Sequence, residues 1–200
     1  MQQGHHRSLS MACHNAGLTA ATLLLGYLLS NTIAAAAEPN KEALIRDALS
    51  AAPPSLVGTA TVMDWDHKVL RQGSGPYICH PTLPSLREKG GREPMCLDKV
   101  WVEWADAWAN KKPFKANQMG IAYMMAGDTG ASNTDPYAET QTATNQWVVE
   151  GSHIMVIVPD PAQLEGIPTD PNGGGAYVMW KGTPYAHIMI PVGKRPAAKK

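Results

Sequence analysis

The spacing of hydrophobic and polar residues along the chain predicts two helices. Hydrophobic positions recur at helical spacing over 41–51, directly after Asn40, a residue type that caps helix N-termini. A second helix is predicted over 98–110, where tryptophans at positions 101, 104 and 108 share one helical face. Such a face could stack on an aromatic or sugar ligand, but it is more typical of a helix packed against a core.

Strands are predicted where short apolar runs are bounded by turn residues. The run at 153–158 is apolar on both faces, which indicates a central strand that is covered on both sides. Helices and strands do not alternate regularly, so the sequence predicts an α+β fold with a mostly antiparallel sheet of five or six strands packed by two helices. The candidate strands are 59–65, 68–71, 118–126, 146–150, 153–158, 176–180 and 185–192.

The N-terminal segment has the organisation of a secretory signal. Arg7 is the only charged residue before Glu38, the run at 16–29 carries no charge, and Ala35–Ala37 supply small residues for cleavage. We expect a cleaved signal peptide over 1–37, a single domain over 38–193 and a basic, disordered tail over 194–200. No later apolar run is long enough to span a membrane, so a secreted or periplasmic protein is expected.

Two cysteines, Cys79 and Cys96, remain after the expected cleavage. In an oxidising compartment such a pair is expected to form a disulfide. The alternative is a reactive Cys79 beside His80, which would require a thiol that stays reduced after export.

The charges of the chain balance, with 17 Lys and Arg against 17 Asp and Glu. Proteins that bind nucleic acids need a basic surface to displace the counterions of the phosphates. The composition therefore argues against a nucleic-acid partner and leaves a small ligand or a metal ion as candidate partners.

The tripeptide His-Ile-Met occurs twice, each time at the start of a predicted strand. Because side chains alternate along a strand, His153 and Met155 point to one face, and so do His187 and Met189. If the strands pair, two imidazoles and two thioethers converge in a set that suits copper(I), and the imidazoles alone suit zinc or copper(II). Methionine is also ordinary core filling, and a buried histidine ordinarily has a hydrogen-bond partner.

Two aromatic residues close to the second of these segments are candidate ligand-binding residues. Trp180 and Tyr185 precede His187 in the same part of the chain. The leading hypothesis is a protein that binds a transition metal or a small ligand through this His/Met strand face.

A small hydrolase, such as an esterase or a lactonase, is the second hypothesis. Asp64, Asp66 and His67 stand within four residues of one another, and one of His67, His153 and His187 would act as base or metal ligand. The same residues are also common at hairpin turns, where Asp accepts backbone hydrogen bonds.

The segment Asp128-Thr-Gly-Ala-Ser132 resembles the active-site motif of aspartic proteases. The motif occurs once, so a catalytic pair of carboxyl groups would require a homodimer. The same stretch lacks the glycine of an EF-hand, although a looser calcium loop using Asp128 and Asp135 remains an alternative.

Three segments together resemble a family of small exported bacterial proteins. They are Met95-Cys-Leu-Asp98, Asn133-Thr-Asp-Pro-Tyr137 and the run from Trp180 to Met189. The resemblance covers most of the mature chain and implies export, but it implies no activity. A third hypothesis is a structural or interaction protein of the cell envelope without a small-molecule site.

Overall fold

The computed structural model describes residues 40–196, so the signal peptide predicted for 1–37 lies outside the described residues, as do positions 197–200 of the predicted tail. The described part of the chain contains four α-helices, and its β-structure comprises ten strands. The helices are α1 (Lys41–Leu49), α2 (Pro54–Val57), α3 (Pro84–Glu88) and α4 (Lys99–Ala109). The strands are β1 (Thr61–Met63), β2 (Val69–Arg71), β3 (Ile78–His80), β4 (Met95–Leu97), β5 (Gly120–Met124), β6 (Ala131–Ser132), β7 (Trp147–Val148), β8 (His153–Ile157), β9 (Tyr177–Met179) and β10 (His187–Pro191).

Eight of these strands form one sheet in the order β2-β1-β3-β4-β5-β8-β10-β9, and β6 and β7 form a separate two-stranded sheet. Within the large sheet β1 and β3 run parallel, and the other neighbouring strands run antiparallel. The α+β class and the mostly antiparallel sheet are therefore confirmed. The predicted numbers of five or six strands and two helices are wrong, because the large sheet has eight strands and the described residues form four helices.

Sequence analysis missed three strands, β3, β4 and β6, and the first two of these carry the two cysteines. Cys79 and Cys96 are direct cross-strand partners and form the predicted disulfide. Each of these two strands has only three residues, which is too short for a hydrophobic alternation to stand out among glycines and prolines. A bridge between cysteines 17 residues apart stabilises the fold by about 3 kcal/mol in the chain-entropy model.

The two longer helices cover opposite faces of the sheet. Cys96 belongs to the hydrophobic cluster under α1, whereas its neighbours Met95 and Leu97 contact the cluster under α4, because successive strand residues point to opposite faces. Asp98 fixes the start of α4, since one carboxylate oxygen accepts the backbone N–H of Trp101 and the other accepts that of Ile121 in β5. This double contact holds the tryptophan face of α4 against the sheet.

Strand β8 lies between β5 and β10, which confirms its predicted central position. His153, Met155 and Ile157 are buried on the face that α4 covers, and the side chains between them are half-buried. The His/Met face of this strand is thus part of the core beneath the tryptophans.

Arg195 belongs to the segment expected to be disordered, but in the structure its guanidinium binds the carboxylate of Glu150. Glu150 is 1% exposed and also accepts a hydrogen bond of 2.9 Å from the hydroxyl of Tyr177. The Nε and Nη2 atoms of Arg195 donate to the two carboxylate oxygens at 3.0 and 2.5 Å, and Nη2 also donates to the carbonyl of Pro171. The ordered contacts of the domain therefore extend to Arg195.

None of the helices found between residues 40 and 196 combines the length and the apolar character required to cross a bilayer.

Candidate functional site

The two His-Ile-Met segments lie on neighbouring antiparallel strands, β8 and β10. Met155 and Met189 are direct cross-strand partners, and both are buried on the same face. Direct partners in a sheet have Cβ atoms about 5 Å apart, so the two thioethers are immediate neighbours. The adjacency on which the sequence hypothesis depended is present in the structure.

The two histidines are further apart than the two methionines. His153 is paired with Pro191, whereas His187 lies one position beyond the Ile188–Val156 pair and therefore faces position 157. That offset of four residues corresponds to about 13 Å along the strand. Within residues 40–196 there is no group of three or more His, Cys, Asp or Glu side chains that could hold a metal ion.

In each imidazole, one ring nitrogen has a hydrogen-bond partner and the other has none. The Nδ1 atoms lie 2.8 Å from the carbonyl oxygen of Gly151 for His153 and 2.9 Å from that of Tyr185 for His187. A carbonyl only accepts, so each Nδ1 carries the proton and each Nε2 presents a lone pair. Neither Nε2 atom has a hydrogen-bond partner in the protein, although both residues are at most 1% exposed.

Burial keeps these two imidazoles neutral at ordinary pH. It lowers the pKa of His187 to about 4 and also lowers the pKa of His153, because the charged form loses its solvation. A neutral imidazole with its proton on Nδ1 is the form that accepts a hydrogen bond, or binds a metal ion, through Nε2.

The tryptophans of α4 form an aromatic wall opposite the His/Met strands. Trp104 stacks in parallel on Trp180 at a centroid distance of 5.7 Å and on Trp108 at 6.4 Å. The ring of His187 contacts Trp101, Trp104 and Trp180 edge-on at 5.2 to 5.7 Å. The tryptophan face is therefore part of the core, as predicted, and it also surrounds the imidazole of His187.

Trp180 adopts a backbone conformation that bulky residues rarely adopt, with a φ angle of 56°. Its indole N–H donates to the carbonyl of Ser132 at 2.6 Å, and its backbone N–H donates to the carbonyl of Asn133 at 2.9 Å. These two bonds hold the ring parallel to Trp104.

A cavity of about 180 Å³ lies between the aromatic wall and the strands. Its lining is almost entirely apolar and includes five of the six tryptophans and five of the ten methionines. Both His153 and His187 line it, and so do Trp101 and Trp104, whose indole N–H groups are buried without a partner. The tryptophans and methionines that line the cavity are Trp65, Trp101, Trp104, Trp108 and Trp180, and Met95, Met124, Met155, Met179 and Met189.

Two acidic residues that sequence analysis did not place in the site, Glu93 and Asp128, also line this cavity. Burial, followed by the charge of Asp128, raises the pKa of Glu93 to about 7. Burial likewise raises the pKa of Asp128 to about 7. The two residues are 35 positions apart in loops rich in glycine and charge, so no local pattern relates Glu93 to the site.

Of the residues proposed for a hydrolase, His153 and His187 line this cavity, but Asp64, Asp66 and His67 do not. One carboxylate oxygen of Asp64 accepts the backbone N–H groups of Asp66 and Lys68, which is the hairpin role of aspartate. Asp66 and His67 are exposed, and neither they nor Asp64 line the cavity. Trp65 is the part of this turn that reaches the cavity.

The two carboxylates of the candidate calcium loop each bind a backbone N–H. Asp128 accepts that of Glu150 at 2.9 Å, and Asp135 accepts that of Tyr137 at 2.9 Å. Both bonds order the loop that follows β5, and they give a structural role to Asp128 of the protease-like segment and to Asp135 beyond it.

The two candidate ligand-binding aromatics occupy different positions. Trp180 lines the cavity, whereas Tyr185 lies behind the wall, edge-on to Trp104 at 5.9 Å. The hydroxyl of Tyr185 donates to the carbonyl of Lys112 and accepts from the hydroxyl of Tyr137, each at 2.8 Å. Tyr185 therefore supports the wall from outside.

Comparisons with protein-family models, with curated proteins and with solved structures found no match to this chain.

Proposed function

We propose that the protein binds a small, mostly apolar ligand in the cavity between α4 and strands β8 and β10. The observation that carries this proposal is an apolar cavity whose lining includes four residues that each have a buried ring nitrogen without a partner in the protein. Two are acceptors, the Nε2 atoms of His153 and His187, and two are donors, the indole N–H groups of Trp101 and Trp104. A ligand that is apolar but carries a hydrogen-bonding group matches this surface.

The free-energy cost of buried polar atoms without hydrogen bonds favours a bound ligand over an empty cavity. A buried polar atom left without a hydrogen bond costs about 1 to 3 kcal/mol, so most such atoms in folded proteins have partners. One cavity lining contains four residues with such an atom, and a polar group of a ligand would relieve part of this cost at the atoms that it reaches. Aromatic walls that enclose an apolar space with a few placed polar groups are the usual features of small-molecule sites.

The disulfide supports the proposal that this binding takes place outside the cytoplasm. Cys79 and Cys96 are bridged in the structure, and structural disulfides persist in oxidising compartments. We therefore place the proposed ligand among compounds that reach a periplasmic or extracellular protein.

The test uses 2-phenylethanol, whose hydroxyl group can both donate and accept a hydrogen bond. Saturable quenching of tryptophan fluorescence is expected, because five of the six tryptophans line the cavity. Ala105→Leu fills the lining from α4 and should weaken binding by about tenfold or more, in line with the cost of overpacking. Ala162→Leu adds the same volume at an exposed site outside the lining and serves as control. Binding that is unchanged in Ala105→Leu would contradict the proposed site.

A second candidate function is the binding of copper(I) at the His187 end of the cavity. His187 is the cross-strand partner of Met179 and lies two residues from Met189, whose own partner is Met155. Three thioethers and one imidazole form a soft ligand set that suits copper(I) better than zinc. The bond from Nδ1 of His187 to the carbonyl of Tyr185 orients the ring as metal-binding histidines require.

Anaerobic titration with copper(I) against a chromogenic chelator tests this candidate. One equivalent should bind, and His187→Ala and Met189→Leu should each weaken binding by about tenfold or more, as loss of a ligand does. Met119→Leu is the matched control, because Met119 is 56% exposed. Zinc should not compete. Equal copper binding by His187→Ala and the unchanged protein would reject this site.

A further inference from the structure

From the arrangement of Glu93, Asp128 and His153 at one end of the cavity, we infer that the ligand is a protonated organic amine with an apolar body. This inference rests on the proposed function and specifies the class of compound that the cavity binds. Its basis is the position of three acceptor groups at a single edge of the sheet, next to apolar walls.

The topology of the sheet brings the three groups together. β5 ends at Met124, whose cross-strand partner is His153, the first residue of β8. β4 runs antiparallel to β5 on its other side, so the start of β4, two residues after Glu93, lies at the same end of the sheet. Asp128 follows β5 by four residues, and all three side chains line the cavity.

Backbone contacts fix the two acidic segments against each other. The hydroxyl of Thr129 accepts the backbone N–H of Arg92 at 3.3 Å and lies 3.4 Å from the carbonyl of the same residue. Thr129 and Arg92 are the chain neighbours of the two acids. A backbone N–H of Glu150 also binds the carboxylate of Asp128, which fixes its orientation.

The chemistry of these groups fits an ammonium. Ionised carboxylates and the Nε2 atom of His153 are acceptors, and an ammonium offers three donors and no acceptor. His153 is fully buried and its Nε2 has no partner in the protein. Two neighbouring carboxylates also disfavour a ligand anion, because like charges repel.

The remainder of the cavity suits the apolar body of such a ligand. Tryptophan rings attract cations through their faces, and five tryptophans line this space. Burial, followed by the charge of Asp128, raises the pKa of Glu93, and a bound cation would favour the ionised form of both acids. A divalent metal ion fits less well, because the described residues offer no group of three His, Cys, Asp or Glu ligands with suitable geometry.

The experiment compares three ligands of nearly equal size by calorimetric titration of the purified protein. The ligands are 2-phenylethylamine, protonated at neutral pH, the neutral 2-phenylethanol and the anion phenylacetate. The amine should bind at least about tenfold more tightly than the alcohol, since a hydrogen bond between charged groups contributes more than a neutral one. Phenylacetate should bind most weakly.

Variants assign the preference to the acidic groups. Glu93→Gln and Asp128→Asn should each reduce the ratio of amine affinity to alcohol affinity by about tenfold or more. Glu88→Gln is the control, because Glu88 is exposed and lies outside the lining. Melting temperatures of the variants establish that they are folded.

The outcomes separate this inference from the proposed function. Equal affinity for the amine and the alcohol, or equal loss of both in Glu93→Gln, would overturn the inference and leave the binding cavity supported. Binding of none of the three compounds would overturn both. A preference for the amine that depends on Glu93 and Asp128 would support both.

Discussion

Replacing Arg195 by alanine should reduce the free energy of unfolding by about 3 kcal/mol, because it leaves a buried carboxylate without its cation. Glu150 is 1% exposed, and two of its hydrogen bonds come from the guanidinium of Arg195. The hydroxyl of Tyr177 remains as a donor in the variant, but it carries no charge. The same substitution removes the hydrogen bonds from Arg195 to Asn172 and to the carbonyl of Pro171, which hold the end of the described chain.

Chemical denaturation of the variant measures this effect, and Lys194→Ala is the matched control, since Lys194 is an exposed neighbour. Adding Glu150→Gln to Arg195→Ala should recover a large part of the loss, because a neutral amide is less costly to bury than an unpaired carboxylate. A loss below about 1 kcal/mol, the size typical of an exposed ion pair, would mean that this pair does not hold the C-terminal segment.

Much of the fold follows from patterns that a short stretch of sequence contains. The caps Asn40 and Asp98 and the tryptophan spacing of α4 predicted both longer helices, and the structure has helices at Lys41–Leu49 and Lys99–Ala109. Alternation predicted that Met155 and Met189 would share a buried face with the histidines. These features could be predicted from the sequence because each depends on residues that are close in the chain.

The features that were missed depend on pairing between distant segments. The offset between His153 and His187 is set by the register of β10 against β8, to which neither tripeptide gives a clue. Glu93 enters the site because the start of β4 and the end of β5 meet at one edge of the sheet. β3 and β4 were missed because each has only three residues, too few to show a hydrophobic alternation. Cross-strand pairing and the disulfide hold them in the sheet.

Trp104 stands at the point where the core and the candidate site coincide, and Trp104→Ala should lower the free energy of unfolding by about 4 kcal/mol. The indole is 8% exposed and stacks between Trp180 and Trp108, with His187 against its edge. Its removal takes away the middle ring of the aromatic wall and leaves a cavity. The neighbouring strands cannot move to fill it, because they are fixed in the centre of the sheet.

Urea denaturation with Trp147→Ala as control tests this expectation, because Trp147 is half-buried and is the one tryptophan that does not line the cavity. Trp104→Phe keeps a ring in the wall and should recover more than half of the stability lost in Trp104→Ala, since loss scales with the volume removed. If Trp104→Phe regains stability but still binds 2-phenylethanol weakly, the indole N–H contributes to the ligand directly. A loss in Trp104→Ala no larger than that in Trp147→Ala would show that the wall is not part of the core, and the cavity that it encloses would lose its structural basis.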